Sequence, residues 1–151
     1  MLVQLNDLQI NNILSSQVLG RLACTDGYTP YIVPVNYTYD GEYIYGQTNE
    51  GHKLEMLRRN PAVCFEVDIV SDLNHWQSVI IFGKFEELNS GDAQKARDTL
   101  FSRVYPMGTG SSIHPHCHEV TTNIVDRTQV KTVVYRIKLD KVTGRSEKAI
   151  N

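Results

Sequence analysis

The 151 residues suit one domain, taken as 1–151, and 41% hydrophobic with 21% charged residues is ordinary for a soluble globular protein whose core needs neither disulfides nor a structural metal. A formal charge of −2 with no block of like charges argues against nucleic acid as a partner, although a local basic patch can still hold one phosphate. No apolar run is long enough to cross a bilayer, and Met1 to Asp7 lacks the basic start and apolar stretch of a signal peptide, so a cytoplasmic protein with Cys24, Cys64 and Cys117 as free thiols is expected.

In chain order, Asn6 to Gln17 carries Leu5, Leu8, Ile13 and Leu14 at helical spacing, with Asn6 or Asp7 as the N-cap. Gly20 opens a strand through Arg21 to Thr25, ended by the turn pair Asp26-Gly27. A second strand, Tyr31 to Tyr39, is rich in β-branched and aromatic residues, and Asp40-Gly41 turns it into a return strand, Glu42 to Thr48. Pro34 within that second strand marks an edge or a bulge. Gly51 to Asn60 then changes to helical period and stops at Asn60-Pro61. Strands follow at Ala62 to Ile69 and Gln77 to Leu88, then a helix over Asp92 to Ser102 with Ala93, Ala96 and Leu100 inward. Arg103 to Asp126 shows no period, and a last strand, Val130 to Asp140, leads into a polar tail expected to fray. Six antiparallel strands with three short helices predict a mainly β protein that closes into a barrel to dispose of its edges.

Four segments carry candidate chemistry. Thr48-Asn49-Glu50-Gly51-His52-Lys53 joins a strand end to a helix start, where free N–H groups and a lysine ammonium favour an anion; a solvated loop is the plainer alternative. Ile32-Val33-Pro34-Val35-Asn36 offers backbone groups near a proline to a planar ring, or is simply an edge strand. Trp76-Gln77-Ser78 opens a clean strand, which by itself reads as a core strand with a packing Trp. His114-Pro115-His116-Cys117-His118 holds four metal-binding side chains, but Pro115 disfavours a regular strand and the spacing is poor for one ion, so no metal is expected. Neither a Gly-x-Ser-x-Gly nor a Cys-x-x-Cys motif occurs.

Together, Gly20-Arg21-Leu22-Ala23, Pro30 to Tyr37, Gly51-His52-Lys53-Leu54 through Asn60 to Asp68, and Trp76-Gln77-Ser78-Val79 through Gly83 resemble the pyridoxamine 5′-phosphate oxidase-like flavin split barrels, and within them the nitroimidazole-resistance branch. The resemblance implies a six-stranded antiparallel split barrel, a homodimer, and FMN bound between subunits. It implies that Val33, Pro34, Val35 and Asn36 line the isoalloxazine, that Thr48, His52 and Lys53 meet the ribityl phosphate end, and that Trp76, Gln77 and Ser78 come from the partner. His52 is the one candidate catalytic residue, as a proton carrier. The expected activity is FMN-dependent reduction of small electron-poor compounds such as nitroaromatics and 5-nitroimidazoles. The alternative is a non-enzymatic flavin or haem binder of the same fold, with His114, His116 and His118 as possible axial ligands. Two departures argue against vitamin B6 oxidation. No arginine stands on Ile32 to Val35, and the end of the chain lacks the tryptophan and arginine signature of the true oxidases.

Overall fold

A computed structural model describes residues 1–104 and 131–148. The elements are β1 (Leu2–Gln4), α1 (Asp7–Ser16), β2 (Leu19–Thr25), β3 (Pro30–Asn36), β4 (Thr38–Tyr39), β5 (Tyr43–Asn49), α2 (His52–Arg59), β6 (Ala62–Asp72), β7 (His75–Glu87), α3 (Ser90–Val104) and β8 (Thr132–Glu147). The strands pair antiparallel throughout, in the order β3-β2-β6-β7-β8-β5-β4, with β1 added against β8. β3 and β4 end this path on opposite sides, yet only Tyr37 separates them in the chain. The sheet must therefore curl until its two ends meet, which makes it a barrel split at that corner. Tyr37 is fully buried there, donates its hydroxyl to the Leu14 carbonyl at 2.7 Å, and meets Phe65 edge-on at 5.2 Å between ring centres.

The mainly β antiparallel class matches expectation, as do the three helices among the described residues, but the strands described there number eight rather than six. The run Tyr31 to Tyr39 is two strands, because turning Tyr37 into the core hands the chain from β2 to β5. β1 is too short to show in sequence. The tail does not fray: β8 continues to Glu147 and pairs with β7 from Trp76 to Phe82. Its polar residues alternate, so that Ser146 and Gly144 point inward while Lys141 and Arg145 stay exposed. Gly144 lies flat under Leu5 and Ile10, where a Cβ would come within 2.9 Å of both side chains.

In α1 Asn6 and Gln9 cap reciprocally at 2.9 Å each. The inward stripe is Ile10, Ile13 and Leu14; Leu8, expected to face inward, is 69% exposed. Leu8 lies two residues from Ile10, and so roughly 200° away around the helix. Leu22, Tyr37, Ile44, Leu54, Leu57, Phe65, Val67, Val79, Ile81 and Ile137 fill the barrel, while α3 packs Ala93 and Ala96 on Val134 outside it.

Candidate functional site

The N-terminus of α2 is set against the β2–β3 turn. Gly51 occupies the N-cap and supplies no side-chain hydrogen bond, so the first amides of the helix have no side-chain cap. Arg58 fixes the helix by two forks: Nη1 and Nη2 donate to Glu50 at 3.0 Å each, and Nε and Nη2 donate to Glu87 at 2.9 and 2.7 Å. The hydrogen bonds from Arg58 hold the Glu87 carboxyl below its usual range.

With the helix so held, Lys53 lies half-buried beside the Cys24 thiol, and among the described residues its ammonium has neither an ion pair nor a hydrogen bond. Burial lowers its pKa, opposed only by Cys24, while burial raises the thiol's. His52 is exposed at the same corner, near Asp26, whose carboxyl is held low first by N–H bonds from Thr29 and Tyr28 at 2.8 and 2.9 Å. Thr48, 8% exposed, stands one residue before the end of β5 and donates its hydroxyl weakly to the Asn49 carbonyl at 3.4 Å. Thr48 thus precedes, and His52 and Lys53 follow, the short connection from β5 into α2.

β3 begins beside this corner, with Pro30 opposite Thr25 and Tyr31 opposite Cys24. It is an edge strand in continuous register, with no bulge. The Tyr37 amide donates to the Val18 carbonyl at 3.0 Å. Antiparallel alternation then gives Val35 and Val33 the hydrogen-bonded positions toward β2 and turns the backbone groups of Ile32, Pro34 and Asn36 to the open edge. Pro34 therefore removes no ladder bond, and the edge presents its carbonyl alone. The Val35 side chain is buried and Val33 packs against the core, so their role in lining a ligand would be through shape.

Trp76, Gln77 and Ser78 are not at this corner. Ala23 pairs with Cys64, and Ser78 pairs with Asp68, four residues further along β6, or roughly 13 Å. Trp76 Nε1 donates to Glu147 at 3.1 Å, and the Ser78 hydroxyl donates to Glu66 Oε1 at 2.8 Å. Arg21 Nη1 bridges Glu66 and Asp68 at 3.2 Å each, and their charges raise the guanidinium's pKa, Asp68 the most. Arg21, Glu66 and Asp68 were not singled out from the sequence. Alternation alone puts each on an outward face, but the pairing of β2 with β6 across 40 residues of chain has no local signature. The cluster His114 to His118 lies outside the described residues.

The family profile described as pyridoxamine 5′-phosphate oxidase matches residues 6–146. An uncharacterized protein of Rhizobium meliloti is 31% identical over 80 residues, 53% of each chain, so the match spans about half of that relative. Among solved structures, a FAD-binding protein from Mesorhizobium loti is similar with a TM-score of 0.76 and 28% identity, covering 99% of this chain and 98% of that one. A proposed 5-nitroimidazole antibiotic resistance protein from Bacteroides thetaiotaomicron gives a TM-score of 0.71 at 22% identity, over 97% and 87% of the two chains, a likeness of fold. The FAD-binding protein from Mycobacterium smegmatis gives 0.64 at 23%, over 97% and 99%, likewise a likeness of fold.

Proposed function

Since this chain belongs to the pyridoxamine 5′-phosphate oxidase family, we propose that it is a cytoplasmic flavoprotein that holds FMN between two copies of itself and reduces small electron-poor compounds such as nitroaromatics and 5-nitroimidazoles. The observation that carries this reading is Lys53: a half-buried ammonium without a carboxylate partner among the described residues, at a helix start with no side-chain cap, fits a phosphate monoester. Thr48 and His52, close to it in sequence, would complete the contact. The open edge of β3, with Val33 and Val35 closing the floor beneath Pro34 and Asn36, supports a flat ring laid along it. Trp76, Gln77 and Ser78 are too far from Lys53 within one chain to serve the same ligand end, which suits their arrival from a second copy. Bound flavin supplies the electron transfer. The chain's own part is to orient the ring, exclude water with the second subunit, and carry a proton through His52 at the rim.

The similarity to a FAD-binding protein at 28% identity favours one second reading, in which the cofactor is the dinucleotide. The absorbance spectrum of the purified protein, followed by mass spectrometry of the heat-released cofactor, tests both. FMN and turnover of a nitroimidazole by the reduced protein are expected. FAD would support the second reading, flavin without turnover would leave a binding protein, and a Soret band in place of flavin bands would overturn the proposal for haem.

A further inference from the structure

Both carboxylate oxygens of Glu50 are taken. Arg58 Nη1 donates to Oε2 and Nη2 to Oε1, at 3.0 Å each, and the Glu50 amide donates to the Lys131 carbonyl at 2.9 Å. Left free, this carboxylate would have a nearer attraction. It stands one residue before the Gly51 N-cap and three before Lys53, where helix amides without a side-chain cap and an unpaired ammonium draw an anion within reach. Arg58 follows Lys53 by five residues, roughly 140° around the helix, so the fork keeps the Glu50 carboxylate on a different flank. Among the described residues, the titrating group that acts on Lys53 is Cys24, and no carboxylate does.

The fork is itself braced. Arg58 also donates through Nε and Nη2 to Glu87 at 2.9 and 2.7 Å, and the Lys131 charge acts on Glu87 too, so two cations balance two carboxylates there. The other acids near the start of α2 are placed away from Lys53. Asp26, which faces His52, accepts from the amides of Tyr28 and Thr29, and the exposed Glu55 lies roughly 200° around the helix from Lys53. Arg59, also exposed, belongs to the last turn.

We infer that Arg58 is a positioning residue that withholds the Glu50 carboxylate from the start of α2 and so keeps that corner open to a doubly charged phosphate. The inference deepens the flavin reading and rests on its placing of the phosphate at Lys53.

Titration of the apoprotein with FMN and with riboflavin, followed by flavin fluorescence, tests it. These ion pairs are partly exposed, and such pairs add little to stability, so Arg58→Met is expected to fold. With Glu50 released, FMN should bind about 4- to 16-fold more weakly at low salt, the repulsion of one carboxylate and a phosphate dianion roughly 5–10 Å apart in water, and added salt should shrink the loss. Riboflavin should bind as before. Glu50→Gln in the Arg58→Met background should restore FMN binding, and Glu87→Gln alone should not weaken it, because the fork on Glu50 survives. Equal loss of both flavins, no restoration by Glu50→Gln, or weaker FMN in Glu87→Gln would mean that Arg58 only anchors the helix, and would overturn the inference. The Glu87→Gln result decides even if Arg58→Met does not fold. A wild-type protein that binds riboflavin as tightly as FMN would instead remove the phosphate reading beneath it.

Discussion

At the residue scale, Lys53 and Tyr135 are two polar groups left without partners among the described residues, with opposite meanings. Lys53→Ala should weaken FMN by about 1.5–3 kcal/mol, the range for a charged hydrogen bond, and leave riboflavin almost unchanged. Equal losses for both ligands would show that the ammonium does not meet the phosphate. Beside it, His52→Gln keeps reach and polarity but cannot titrate. If His52 carries the proton, nitro reduction should fall about tenfold or more while flavin stays bound; unchanged turnover would make it scaffolding. Tyr135, by contrast, is 1% exposed, and its hydroxyl has no hydrogen-bond partner against the flat backbone of Gly46. Burial raises the pKa of Tyr135 and Tyr37 above the ordinary value of 10.0, so both resist ionisation when folded. Raised folded values give a contribution present below the unfolded pKa and lost as pH rises through and beyond it. The melting temperature should therefore fall at pH above about 10, and Tyr135→Phe should blunt that fall without lowering stability at neutral pH. A Tyr135→Phe protein destabilised at neutral pH would mean that the hydroxyl has a partner after all.

At the element scale, what was legible was local. Asp40 accepts from the amides of Glu42 and Tyr43 at 2.8 and 2.7 Å, and Gly41 takes φ +96°, so this turn carries its own instructions in two residues. The α1 cap, the Asn60-Pro61 stop and the Ala93, Ala96 and Leu100 stripe are of the same kind. What was not legible depends on partners far along the chain. The segment after Asp140 is strand because β7 and β1 flank it, and its own polar composition gives no hint of that. Gly144 tests the point: with Leu5 and Ile10 packed over it, Gly144→Val should destabilise by about 1–3 kcal/mol and loosen α1, read as amide exchange of Ile13 and Leu14. Unaltered exchange would restore the frayed tail. The site divides likewise. Thr48, His52 and Lys53 lie within six residues of sequence, so their proximity along the chain could be read, whereas the Arg21, Glu66 and Asp68 cluster needed the sheet register.

At the scale of the whole molecule, the outward face of β3, β2, β6 and β7 carries an aligned row, Ile32, Ala23, Cys64 and Phe82, with Ile80 in the next row. Ile32 is 66% and Phe82 48% exposed. A contiguous apolar face of this kind marks an association surface. Sedimentation should show a dimer, and Phe82→Asp should yield monomers that also lose flavin; wild-type protein running at the monomer mass of 17.1 kDa with flavin bound would contradict the homodimer. β8 adds a consequence in time. It comes after every other strand in chain order, yet it runs through the middle of the sheet, paired with β7, β5 and β1. A nascent chain still short of residue 132 can form the β6–β7 and β4–β5 hairpins but lacks the strand that pairs with both, and the edges of β5 and β7 that β8 takes stay unpaired with it. Closure is thus postponed until β8 has been made, and a ribosome stalled before it would expose two strand edges to neighbouring chains, where a chaperone is most needed.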